Sequence, residues 1–163
     1  MAFHLQKRRR AHRAPLNRPV QISGMSGSQT ARGIEVSTGG MSLWMQSQPK
    51  TGTMVTVNFT LPGSAIQITA MARVVWEKAA AGGKGWYKAG LQFVALPREE
   101  RNIIGAFVNK LARCYRDLHI LLSMNKWKFE QLQELARQAN LESFRDVQDL
   151  KQKVARAMDG FRA

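Results

Sequence analysis

Between Pro19 and Leu96 the apolar residues of this chain recur at every second position, and from Pro97 onward at every third or fourth. These periods belong to different backbones: side chains alternate faces along a strand, whereas a helical stripe returns every 3.6 residues. In "VQI" Val20 and Ile22 share a face, and in "MSLWM" Met41, Leu43 and Met45 oppose Ser42 and Trp44. "VTVNFTL" sets Val55, Val57, Phe59 and Leu61 against Thr56, Asn58 and Thr60. "IQITAMARVVW" puts Ile66, Ile68, Ala70, Ala72, Val74 and Trp76 on one side, and "YKAGLQF" does so with Tyr87, Ala89, Leu91 and Phe93. Turn formers ("SGMSGS", "PKTG", "LPGS", "AAAGGKG") separate the runs. Together with the strand that enters "IEVSTGGM", they predict six short strands closing into a small antiparallel barrel. No βαβ unit interrupts them, which excludes a Rossmann-type site.

Pro97, followed by Glu99 and Glu100, is a good helix start. Ile103, Ile104, Phe107, Val108, Leu111, Tyr115, Leu118 and Leu122 form its stripe, and "SMN" (Ser123 to Asn125) either breaks or bends it. A second stripe runs through Trp127, Leu132, Leu135, Ala136 and Ala139. Asn140 is a candidate N-cap for a third, with Leu141, Phe144, Val147, Leu150, Val154, Met158 and Phe161. The expected organisation is a basic arm (1–18), a β-barrel (19–96), a closing helix (97–122) and a helical extension (123–163). That extension has to bury its apolar face on its own barrel, on a second copy, or on another protein.

Charge narrows the function. The formal net charge is +14, and residues 1–18 supply Lys7, Arg8, Arg9, Arg10, Arg13 and Arg18 with no acid. An anionic partner is expected. Catalysis finds little support: the strand region holds only Glu35 and Glu77 as carboxylates, and His4, His12 and His119 lack metal-ligand spacing. Cys114, the single cysteine, excludes an internal disulfide and sits in an amphipathic stripe as a small packed hydrophobe. No apolar run reaches membrane-spanning length and no signal-peptide core follows the basic start, so a cytoplasmic protein is expected.

Two stretches carry the strongest functional signal. Arg9 to Arg13 has the form R-x-x-x-R just ahead of the first strand. Glu35-Val36-Ser37-Thr38-Gly39-Gly40 has the form [acid]-x-S-x-x-G at a strand turn. A serine hydroxyl can hold such a turn by bonding the backbone two residues on. The glycines permit positive φ or the close approach of a ligand. In this order, framing an all-β segment, the two motifs resemble those of the PilZ domain family, bacterial cytoplasmic receptors for cyclic di-GMP in biofilm or motility regulation. The resemblance spans about residues 7–112, including "GLQFVALPREERNIIGAFV", which is similar to the family's last strand and closing helix.

The resemblance implies a PilZ-type barrel with helices, mainly β plus α, and a non-enzymatic receptor needing no cofactor. It gives Arg9 and Arg13 the guanines and phosphates of the ligand, a role suited to the forked, stacking guanidinium. Arg8 adds a contact. Ser37, Gly39 and Gly40 receive the other side, and Glu35, where the family usually has Asp or Asn, accepts from guanine N–H groups. The arm would close over the nucleotide and alter protein interactions through the C-terminal helices.

Two rival readings are a PilZ-like adaptor that no longer binds nucleotide and a basic nucleic-acid-binding protein. For the latter no RNP, zinc-finger or helix-turn-helix signature occurs. Trp44, Trp76 and Trp86 could form a stacking platform, but Trp76 falls on the apolar stripe and is assigned to the core.

Overall fold

The computed structural model describes residues 12–24, 27–82, 85–124, 126–141 and 143–161. Among the described residues seven antiparallel strands follow one another: β1 (Ala14–Pro15), β2 (Pro19–Ser23), β3 (Ser28–Val36), β4 (Gly40–Met45), β5 (Met54–Phe59), β6 (Ile68–Ala79) and β7 (Tyr87–Ala95). Their order is β1-β3-β2-β5-β6-β7-β4, and β4 returns onto β3 to close a six-stranded barrel. The closing strands are the six predicted ones. The seventh, β1, lies along β3 end to end with β2.

The alternating residues fill the barrel, with Val20, Ile22, Met41, Leu43, Met45, Val55, Val57, Phe59, Ile68 and Val74 all buried. Tyr87 is half-buried, and two expected core residues are exposed. Ile66 precedes β6 and is exposed. Trp76 is 38% exposed, because the β6–β7 register shifts between Val74 and Trp76. The extra residue, Val75, resets the alternation and turns the indole outward, as a bulge does.

Three helices follow among the described residues: α1 (Arg98–Ser123), α2 (Phe129–Gln138) and α3 (Val147–Phe161). Pro97 caps α1 with φ −56° and ψ 151°, and Glu99 and Glu100 lie in its first turn. Helix α1 ends at Ser123, so "SMN" breaks it. Asn140 does not start α3. Its φ of 57° makes it the left-handed residue that ends α2, with Asn140 N–H donating to Arg137 O (3.1 Å) and Leu141 N–H to Ala136 O (2.8 Å). These are the paired bonds of a Schellman ending. Asp146 caps α3 instead, its Oδ1 accepting from Asp149 N–H at 2.8 Å, while Asp149 Oδ2 reaches back to Arg145 N–H at 2.9 Å.

Helices α2 and α3 bury Leu132, Ala136, Ala139, Leu150 and Val154 in one continuous core with Leu111, Tyr115, Leu118 and Leu122 of α1. The extension packs mainly on α1 rather than on the barrel, which was one of the expected solutions, and α3 also touches β1. Phe161 closes this layer against Tyr115, with ring centroids 5.5 Å apart. Burial pushes the Tyr115 phenol up to about 12, and the neighbouring Cys114 adds to the rise. Cys114 itself is a free, half-buried thiol packed against the core.

Candidate nucleotide site on the barrel face

Strand β1 delivers the base of the basic arm to the acid-serine turn. Ala14 lies opposite Val36 and Pro15 opposite Glu35. Between β1 and β2 the chain detours: Asn17 takes φ 47°, a region asparagine enters more readily than most residues. Leu16 N–H donates to Ile34 O and Gly33 N–H to Arg18 O, both at 2.8 Å. Leu16 is fully buried over Gly33, where a Cβ would stand 2.5 Å from Leu16 Cδ2. This apolar pin holds a two-residue strand in place. Arg13 then sits beside Glu35, Nη1 to Oε2 3.7 Å, both half exposed. Arg8 and Arg9 lie outside the described residues.

The turn after β3 is built by Ser37. Its Oγ accepts from Gly39 N–H (3.2 Å) and donates to Gly40 O (3.3 Å), while its own N–H donates to the same carbonyl at 2.8 Å. Neither Gly39 nor Gly40 has positive φ. Gly40 is required for another reason: a Cβ there would lie 2.1 Å from the Leu91 carbonyl oxygen of β7. At Gly39 a Cβ would meet only Ser37 Oγ, at 3.8 Å, so that position is open. Behind the turn, Thr38 packs against Gly105 of α1, its Cγ2 3.5 Å from where a Cβ would be. The turn is therefore seated on the helix.

Register carries the site across the sheet, because opposed residues of an antiparallel pair share a face. Glu35 pairs with Ser42, Ser42 with Gly90, and Gly90 with Trp76. That row continues Arg13 and Glu35 over the outside of the barrel. A second row holds Arg32, Trp44, Lys88 and Lys78, and a third Gly40, Gln92 and Arg73. The three rows carry Arg13, Arg32, Arg73, Lys78 and Lys88 against Glu35 alone. Lys88 Nζ lies 5.9 Å from the Trp44 ring centroid, within cation–π reach. Trp76 lays its indole over Gly90, where a Cβ would fall 2.0 Å from Nε1. Beneath the row, Ser42 Oγ is buried without a hydrogen-bond partner among the described residues. Cations for phosphate and an indole face for a planar ring make this surface suited to a nucleotide. Among the described residues no group of three or more His, Cys, Asp or Glu could hold a metal.

The sequence profile of the PilZ domain matches residues 7–110. The chain belongs to the PilZ domain family. Its fold is similar to that of the Bacillus subtilis inhibitor of motility MotI/DgrA, with TM-score 0.56 and 17% identity over 63% of this chain and 50% of that one. It is likewise similar to the PilZ domain of Escherichia coli YcgR, solved with c-di-GMP, with TM-score 0.52 and 16% identity over 68% of this chain and 96% of that one. The c-di-GMP complex of MrkH from K. pneumonia gives TM-score 0.54 and 17% identity, covering 64% of this chain and 52% of that one. This PilZ chain thus spans about half the length of MotI/DgrA and MrkH. No curated protein matches the sequence significantly.

Of the residues expected to form the site, this PilZ barrel brings Arg13, Glu35, Ser37, Gly39 and Gly40 together. Sequence reasoning missed Ser42 and misassigned Trp76. A local sign existed in "VVW", where two valines in succession leave open which of them continues the buried stripe, but it does not say which way the tryptophan turns. No helix among the described residues is long and apolar enough to cross a membrane.

Proposed function

We propose that this PilZ protein is a non-enzymatic receptor for cyclic di-GMP, docked on the outer barrel face under the arginine arm. The observation that carries the reading is the pairing of β1 with β3, which sets Arg13 3.7 Å from Glu35 at the entrance to the Ser37 turn. Arg8, Arg9 and Arg13 take phosphates and guanine edges, the Glu35 carboxylate accepts from a guanine, and Ser37, Gly39 and Gly40 supply the flat rim. Trp76 offers the far end of the row as a stacking surface. The c-di-GMP complexes of YcgR and MrkH, whose folds this one resembles, support the choice of ligand. Arm closure changes what the C-terminal helices present to another protein.

Calorimetry with cyclic di-GMP tests the reading, and tryptophan emission reports the same titration because Trp76 and Trp44 line the face. Micromolar or tighter binding is expected. Arg13→Ala should weaken it by about 1–3 kcal/mol while leaving the melting temperature nearly unchanged, since a half-exposed ion pair contributes about 1 kcal/mol at most. Absence of both heat and fluorescence change would refute the receptor reading. Binding that survives Arg9→Ala/Arg13→Ala intact would refute the arm.

A further inference from the structure

The described arm residue next to Arg13 faces away from the barrel site. His12 stands against Phe161 of α3, with ring centroids 6.3 Å apart. It lines an open cleft of about 470 Å³ between α1 and α3, together with Asn109, Ala112, Arg113, Arg116, Met158 and Phe161. That volume lies in the range of small-molecule clefts, about 300–1,000 Å³. Its polar wall is cationic. Arg113 and Arg116 are three residues apart on α1, so their guanidiniums emerge on neighbouring turns of one face. Neither has an acidic partner among the ion pairs of the described residues. Among the described residues no carboxylate lines the cleft. Its floor, Met158 and Phe161 with the His12 ring, is apolar and partly aromatic.

The cleft also adjoins the barrel site. Asn109 is one helical turn beyond Gly105, on which Thr38 of the acid-serine turn is seated. Ala112, Arg113 and Arg116 continue the same flank of α1 toward Phe161, and residues 111–161 lie beyond the matched PilZ region.

We propose that this α1–α3 cleft is a second anion subsite, which takes a nucleotide phosphate on Arg113 and Arg116 with the attached base over Met158 and Phe161. The proposal rests on the receptor reading for the identity of the nucleotide, but its chemistry is that of any phosphate-bearing planar ligand. Paired guanidinium forks match phosphate oxygens in a way lysines do not. A ligand seated on the Ser37 turn would thereby touch α3 as well as the barrel.

The test is a titration of the full chain, its Arg113→Ala/Arg116→Ala variant, and a control variant, Lys128→Ala/Lys151→Ala, which loses the same charge away from the cleft. Both arginines are exposed, so the fold should be kept, and circular dichroism checks it. With cyclic di-GMP in the calorimeter, the arginine variant should bind about tenfold or more weakly, or with one ligand fewer, as expected for lost forked contacts. The control should follow the parent. Equal binding by parent and arginine variant overturns the subsite and leaves the receptor reading standing. If the parent does not bind cyclic di-GMP, the receptor reading fails by itself. The cleft is then decided by NMR of the arginine Nε–H signals with inorganic pyrophosphate. Shifts at Arg113 and Arg116 uphold an anion subsite, and unmoved signals refute it.

Discussion

Gly40→Ala and Gly39→Ala, made side by side, separate what this turn needs for folding from what it offers a ligand. At Gly40 the added methyl would sit 2.1 Å from the Leu91 carbonyl oxygen, against at least 3.4 Å for ordinary contact. Strands β4 and β7 would have to part by more than an ångström at the start of their ladder. Bonds placed to suffer are Ser37 N–H to Gly40 O, Ser37 Oγ to Gly40 O, and Phe93 N–H to Gly39 O. At about 1 kcal/mol each, with relaxation sparing some, the cost is about 2–4 kcal/mol. For a domain of this size that is a fall of about 5–15 °C in melting temperature. Gly39→Ala should cost well under 1 kcal/mol, since its methyl meets only Ser37 Oγ at van der Waals distance. Thermal melts by circular dichroism give the comparison, and calorimetry with cyclic di-GMP follows on whichever variant stays folded. A Gly40→Ala melt within 2 °C of the parent would refute the close-approach argument. If Gly39→Ala is stable yet weakened in binding, the open rim at Gly39 is ligand contact surface.

Two further outcomes follow from the helical layer. Because the Tyr115 pKa is raised to about 12, chiefly by burial, its stabilising effect is fully present below the unfolded value near 10. It is lost as pH rises through about 12. Stability by urea titration should be insensitive to this group up to pH 10 and decline above it, and Tyr115→Phe should flatten the decline; a decline unchanged in Tyr115→Phe would exclude Tyr115 as its cause. Ending the chain after Lys126 should uncover Leu111, Tyr115, Leu118 and Leu122, so that the far half of α1 frays. The loss of signal at 222 nm should then exceed what α2 and α3 account for, and a loss equal to theirs would show that α1 stands without them.

Period-two alternation was enough to find the six closing strands, because each has one face in the barrel and one in water. It failed where two valines precede Trp76, since a bulge resets the alternation. Local chemistry alone cannot say whether the residue after the break turns inward. Strand β1 was missed for a different reason: two residues have no period, and what fixes Ala14 and Pro15 is the burial of Leu16 over Gly33, a long-range fit. The ends of α2 and α3 turned on which polar residue caps which helix. Asn140 was the expected N-cap of α3, but its left-handed φ makes it the end of α2, and Asp146 caps α3 instead. In the candidate site, the Ser37 turn was legible as a turn because its spacing is local. The row from Glu35 through Ser42 and Gly90 to Trp76 joins four strands and exists only in the register.

Under the proposed function, the same register would make the base of the arm a lever. His12 and Arg13 are neighbours in the chain, yet their side chains meet different elements. One meets Phe161 of α3 and the other meets Glu35 of β3. The Arg13–Glu35 pair is half exposed and holds by about 1 kcal/mol or less; the ring contact with Phe161 is worth about 0.5–1.5 kcal/mol. A single forked arginine contact to a nucleotide yields about 1–3 kcal/mol, and the arm has several arginines to commit. Under the proposed function, ligand contacts can therefore outweigh what holds the arm base in its present position. Drawing Arg13 toward a phosphate would pull His12 from Phe161, leaving that ring its contact with Tyr115 alone among those described. On that reading, helix α3 would feel occupancy of the barrel face through that one residue step, without any change in the barrel core.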